Sequence, residues 1–139
     1  MTYELLGGHK LLGKEPSSSA DFVSIVRKGL PFASLEFTRA AVRISQAELM
    51  AAVGVPRRTL ARRRKQRRLS VGESERLLRL ARVYARAVNV LGEHERASSW
   101  LRRANRALGN VAPLSLLDTD IGTDAVLDVL GRIEHGVFG

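Results

Sequence analysis

Helix punctuation runs through this chain from end to end, and nowhere do apolar and polar side chains alternate long enough to build a strand. Ser45-Gln46-Ala47-Glu48 and Ser70-Val71-Gly72-Glu73 both carry capping-box spacing. In that motif the serine hydroxyl and the glutamate carboxylate satisfy orphan amides reciprocally, so each predicts a helix start. The first helix is short, because Gly54 breaks it and Pro56 permits a new start two residues later. The second is long, with Leu77, Leu80, Ala81, Tyr84, Val88 and Leu91 on one face before Gly92 ends it.

The same signals flank this central region. Ser17-Ser18-Ser19 after Pro16 predicts a loop, residues 21–28 a short helix closed by Gly29, and residues 32–42 a second helix with Pro31 in its first turn. Ala97, Trp100, Leu101, Ala104 and Leu108 recur at helical spacing and predict one amphipathic helix stopped by Gly109. Residues 111–123, with Pro113 and Gly122, read as a loop holding at most one helical turn. Val126, Val129, Leu130 and Ile133 then predict a final helix ended by Gly136. The expected class is all-α, and Trp100, Leu101, Val126, Val129, Leu130 and Ile133 are expected in its core.

With 139 residues, 45% of them apolar, the chain can bury one good core or two small ones. It contains no cysteine, which excludes disulfides and thiolate metal sites and suits a reducing cytoplasm. Residues 1–14 lack the apolar run of a signal peptide, and no segment reaches membrane-spanning length. A cytoplasmic protein with no membrane partner is expected.

Charge is concentrated. Arg57, Arg58, Arg62, Arg63, Arg64, Lys65, Arg67 and Arg68 fall in one acid-free stretch and account for nearly all of the net charge of +9. Beyond Val111 the balance reverses, with Asp118, Asp120, Asp124, Asp128 and Glu134 against Arg132. A localised cationic stretch favours a polyanion, since Lys and Arg that neutralise phosphates release condensed counterions. A solvated basic face or a localisation signal are the competing readings.

The cations adjoin a specific motif. Leu49, Met50 and Val53 supply the inward apolar residues of a first helix, Gly54 a tight turn, Val55 a residue packed beneath it, and Leu60 the anchor of a second helix. Arg57, Arg58, Thr59, Arg62 and Arg63 are then left to point outward. The run from Ser45 to Leu60 resembles the Xre class of helix-turn-helix repressors, with Met50 where that class usually has a small residue. The candidate DNA contacts are Gln46, Arg57, Arg58, Thr59, Arg62, Arg63, Lys65, Arg67 and Arg68, the later ones directed mainly at phosphates.

No catalytic, metal or cofactor site is expected. Gly8-His9-Lys10-Leu11-Leu12-Gly13-Lys14 resembles a phosphate-binding loop, but Glu15 replaces the metal-binding hydroxyl and would repel phosphate. His9, His94 and His135 lack ligand spacing, and no nucleophile–base set is evident.

A second resemblance covers most of the chain from about Phe32. Arg58-Thr59-Leu60-Ala61-Arg62-Arg63, Leu69-Ser70-Val71-Gly72-Glu73, Ala97-Ser98-Ser99-Trp100-Leu101, Asn105-Arg106-Ala107-Leu108-Gly109, Pro113-Leu114 and Gly131-Arg132-Ile133-Glu134-His135-Gly136-Val137 follow in order. Together they resemble the antitoxin Xre/MbcA/ParS family, with Asn110 where that family often repeats glycine. The resemblance implies an Xre-like helix-turn-helix followed by a small C-terminal helical toxin-binding domain. It also implies a homodimer, operator DNA at a promoter shared with the toxin, and a RES-domain toxin acting on NAD as protein partner. Toxin contact is expected from Arg132, Glu134, His135, Gly136, Val137, Phe138 and Gly139, an apolar tip placed beyond a helix stop. The expected organisation is a flexible segment over 1–20, DNA binding over 21–69, and dimerisation and toxin binding over 70–139, with the helix over 73–91 joining protomers. A DNA-binding regulator without a toxin partner, whose second half only dimerises or senses a ligand, is the alternative.

Overall fold

The structure is a computed structural model in which residues 1–136 are described. These form α1 (Thr2–Leu5), α2 (Gly8–Leu12), α3 (Ser19–Lys28), α4 (Ala33–Val42), α5 (Gln46–Val53), α6 (Arg57–Gln66), α7 (Val71–Leu91), α8 (His94–Arg102) and α9 (Asp120–Glu134). Two 3-10 turns, Arg106–Leu108 and Pro113–Leu116, separate α8 from α9. No named strand occurs among the described residues, only isolated pairings of Pro31 with Arg68 and Asn105 with Val111. None of the described helices is long and apolar enough to cross a membrane.

Both capping boxes close. Ser45 N donates to Glu48 Oε1 at 2.8 Å while Glu48 N donates to Ser45 Oγ at 3.1 Å. Ser70 and Glu73 repeat the arrangement at 2.8 and 3.1 Å, opening α7. That helix is the axis of the fold. Leu77, Leu80, Ala81, Tyr84 and Ala87 are fully buried along it, with α1, α3, α4 and α5 packed on it from the N-terminal half and α8 and α9 from the C-terminal half. One apolar core results, shared by Leu35, Val42, Leu49 and Val53 with Ala97, Leu101, Leu117, Val126 and Leu130. Burying these side chains stabilises the fold by roughly 1.5–3 kcal/mol for each larger one. The apolar face of α7, the helix expected to join protomers, is therefore spent inside a single protomer, which leaves only its other face for a second copy. Val129 is also buried, whereas Trp100 and Ile133 are half-buried.

Four local expectations differ. The segment over 1–20 is not wholly irregular: α1 and α2 lie within it, and Leu5 and Leu6 are buried. Helices of four and five residues are not stable alone; here Ser34 Oγ donates to the Leu6 carbonyl at 2.7 Å and Thr38 Oγ1 to the Leu5 carbonyl at 2.9 Å, fixing α1 against α4. Pro31 lies outside α4, where Phe32 N donates to the Arg67 carbonyl and Leu69 N to the Leu30 carbonyl.

The helix expected to reach Leu108 stops at Arg102, because Arg103 is extended and the Asn105 side chain caps the following 3-10 turn by accepting from Ala107 N at 2.9 Å. Finally, α9 starts before Gly122. Thr119 accepts from Gly122 N, and a Cβ at Gly122 would sit 2.1 Å from the Leu116 carbonyl oxygen, so this glycine serves close packing inside the first turn.

Candidate nucleic-acid interface and C-terminal end

Between α5 and α6 the chain reverses over Gly54, which takes a left-handed conformation at φ 69° and donates its amide to the Met50 carbonyl. Val55 is buried under the turn, Leu49, Ala52 and Val53 pack inward, and Met50 and Leu60 sit half-buried against the core. Arg76 of α7 closes the back of the turn: its Nε donates to the Val53 carbonyl at 2.6 Å, and its guanidinium fills the space beside Gly54 and Gly72.

With its apolar side held, α6 exposes a cationic surface. Arg57 and Arg58 occupy its first turn, exposed, with Thr59 half-buried beside them; Arg62 and Lys65 are exposed farther along, as is Gln46 at the start of α5. The remaining basic groups are more committed. Arg64 lies over the Phe32 ring at 5.5 Å, and Arg68 Nη1 donates to the Gly29 carbonyl at 2.8 Å. Arg67 caps the helix in a left-handed conformation at φ 61°.

Arg63 turns inward. Its Nε donates to Glu73 Oε1 at 2.7 Å and its Nη1 to Gln66 Oε1 at 3.1 Å. Burial opposes ionisation of Glu73, but the Arg63 guanidinium and the Ser70 amide and hydroxyl outweigh it and hold its carboxyl below the ordinary glutamate range. The outward group is thus Arg57, Arg58, Arg62, Lys65 and Arg67, while Arg63 is withdrawn from it and the exposed Arg64 and Arg68 each already hold one partner. Glu73, which with Arg76 fixes this helix pair on α7, was legible in the sequence only as a cap, and nothing local singled out Arg76.

At the other end of the molecule, Glu134 receives two hydrogen bonds from Arg86 of α7, at 2.6 and 2.8 Å. The Arg86 contact holds the Glu134 carboxyl below its ordinary range. Arg132 and His135 are exposed beside it, and Gly136 ends the helix at φ 71°. Val137, Phe138 and Gly139 lie outside the described residues.

Residues 21–82 match the antitoxin Xre-like helix-turn-helix domain, and residues 86–136 match the antitoxin Xre/MbcA/ParS C-terminal toxin-binding domain. Antitoxin Xre of Yersinia enterocolitica is 35% identical over 129 residues, covering 91% of this chain and 87% of that relative. The chain belongs to the Xre/MbcA/ParS antitoxin family. Antitoxin Xre of Photorhabdus laumondii is 33% identical over 125 residues, covering 88% of this antitoxin and 84% of the relative. A protein of Sphingobium sp. named Prs ADP-ribosylating antitoxin is 30% identical over 132 residues, covering 88% and 83%. The first matched region ends and the second begins inside α7, so one continuous helix carries the junction between the two family domains of this antitoxin.

Proposed function

We propose that this antitoxin neutralises a RES-type toxin, an enzyme that degrades NAD, through its C-terminal end, and represses the operon they share by setting α6 in the major groove of operator DNA. The observation that carries the reading is the leading turn of α6. Arg57 and Arg58 stand exposed there, on a helix whose opposite side is held by Leu60 and by the Arg63–Glu73 pair. Arginine suits guanine because its fork donates to O6 and N7 together, worth roughly 1–3 kcal/mol of discrimination for a good pair. Gln46 and Thr59 flank this turn, and Arg62, Lys65, Arg67 and Arg68 neutralise phosphates along its edge.

Residues 21–69 serve as the DNA-binding region and residues 70–139 as the dimerising and toxin-binding region. One reading head spans too few base pairs to be selective, so the antitoxin works as a cytoplasmic homodimer on two half-sites. Arg132, Glu134, His135 and Gly136, with Val137, Phe138 and Gly139, form the inhibitory end, and the antitoxin acts by occlusion without a reaction of its own. The Sphingobium relative carries ADP-ribosylation in its name, which supports a second reading of the partner's chemistry: transfer of ADP-ribose to a protein in place of NAD hydrolysis.

Co-expression with the adjacent reading frame tests both tasks. A complex that co-purifies, an NAD-consuming activity that the antitoxin suppresses, and protection of the promoter are the expected results. Free ADP-ribose would mark hydrolysis, and a labelled protein would mark transfer. A protected promoter with no co-purifying enzyme would leave a transcriptional regulator instead.

A further inference from the structure

A groove runs along α7 between α3 and α9, with α7 as its floor. Large apolar side chains scattered singly over a surface need no explanation, but here three of them gather. Val23 of α3 is 45% exposed, Val71 of α7 49% and Leu127 of α9 36%, and Leu78 lies half-buried between them.

The charges in the groove fall into two groups. Arg79 is paired with Asp120, and Arg86 with Glu134, each joining the floor to the α9 wall. Arg27 of α3, Glu75 and Arg82 on the floor and Asp124 on the wall are exposed, and none of their side chains makes a hydrogen bond or ion pair among the described residues; Arg82 and Asp124 lie toward the α9 side. An exposed apolar groove that holds two uncompensated charges of each sign fits a partner carrying the same pattern in reverse. DNA does not fit it, because Glu75, Asp120 and Asp124 would face phosphates.

A two-fold contact between identical surfaces supplies that pattern automatically, since any pair between residue i of one copy and residue j of the other occurs twice. We propose that this groove is the seam of the homodimer, occupied by the same groove of a second copy, with Arg82 of each copy meeting Asp124 of the other around apolar contacts from Val23, Val71 and Leu127. The proposal rests on the homodimer reading above and adds the surface.

The test is the mass of the full chain by multi-angle light scattering and sedimentation across a concentration series, for the parent, Arg82→Glu, Asp124→Arg and the combined variant. Thermal unfolding verifies that each is folded, and Val23→Lys on the opposite wall serves as a variant independent of both charges. The parent is expected to be dimeric. Each single reversal places two like-charge pairs in the seam and is expected to weaken dimerisation about tenfold or more, as is Val23→Lys, while the combined variant regains it. A dimeric parent whose three single variants dimerise as tightly would overturn the seam and leave the homodimer standing. A parent that is monomeric at every concentration would overturn the homodimer and the seam together. Variants that stay dimeric but lose the co-purified toxin would assign the groove to the toxin, which also overturns the proposal.

Discussion

Arg63 donates from its Nε to Glu73 Oε1 at 2.7 Å, so the carboxylate that caps α7 also holds α6, the second helix of the helix-turn-helix. One oxygen thus joins a local helix start to the orientation of a neighbouring helix. The side chains of Arg63 and Glu73 are 16% and 6% exposed, which makes the contact stronger than a pair on the open surface and costly to break from one side.

Replacing Glu73 by Gln is expected to destabilise the protein by roughly 1–3 kcal/mol, because a largely buried guanidinium loses its charged partner. The sign of the pH dependence follows from the lowered Glu73 value. A carboxyl whose folded pKa lies below its unfolded one contributes stability that is full above the ordinary value of 4.5 and is lost as pH falls through the folded value. Thermal unfolding between pH 7 and 3 is therefore expected to show a shallower acid loss in Glu73→Gln than in the parent. Parallel curves would mean that the pair contributes nothing pH-dependent.

The inward turn of Arg63 also separates two neighbouring cations. Arg62→Ala is expected to reduce the salt dependence of DNA binding by about 0.9 in the slope of log K against log salt, the value for one phosphate contact. Arg63→Met is expected to leave that slope unchanged while lowering the unfolding temperature. Fluorescence anisotropy of a promoter fragment at several salt concentrations distinguishes them, and equal slope changes would return Arg63 to the DNA surface.

Arg67 holds a left-handed backbone at φ 61°, a position where glycine usually ends a helix. An L side chain there costs roughly 1 kcal/mol. Arg67→Gly is accordingly expected to raise stability by about that amount and to weaken binding to every DNA sequence alike, whereas Arg58→Ala relaxes sequence preference without a stability change. If Arg67→Gly binds DNA as the parent does, the strained cation has no part in phosphate contact.

How much of this was legible in the sequence depended on how far each interaction reaches. Ser45 and Ser70 close on a glutamate three residues away, so both helix starts could be read directly. Thr119 makes the same kind of start with Gly122 at the third position, and without an acid there the signal was read as a break. The apolar spacing from Ala97 to Leu108 predicts one helix. Spacing reports burial, however, and Leu108 packs on the core from a 3-10 turn after the chain has extended at Arg103. A run of cations has no inherent direction: Arg62 faces out and Arg63 in because Glu73 lies ten residues on. Nothing local could link Arg86 to Glu134, 48 residues apart.

That last pair bears on the end proposed above to be inhibitory. Arg86 grips both oxygens of Glu134, at 2.6 and 2.8 Å, so α9 is tied to α7 one turn or less before the described chain ends. Removing residues 137–139 leaves the tie, the buried Val126, Val129 and Leu130, and the helix-turn-helix untouched. The truncated antitoxin keeps every cap, ion pair and buried side chain named above, and is expected to unfold within about 0.5 kcal/mol of the parent and to protect the promoter equally well. Its expected defect is in toxin neutralisation, measured as growth of cells expressing the toxin at matched antitoxin levels. Phe138→Asp is expected to reproduce that defect, since a carboxylate in place of an aromatic ring would have to be desolvated on entering a partner's cleft. Arg86→Ala is the useful contrast: it loosens the end of α9 and is expected to weaken neutralisation together with stability. If the truncation and Phe138→Asp both neutralise as the parent does, toxin contact lies elsewhere on the second half of the chain.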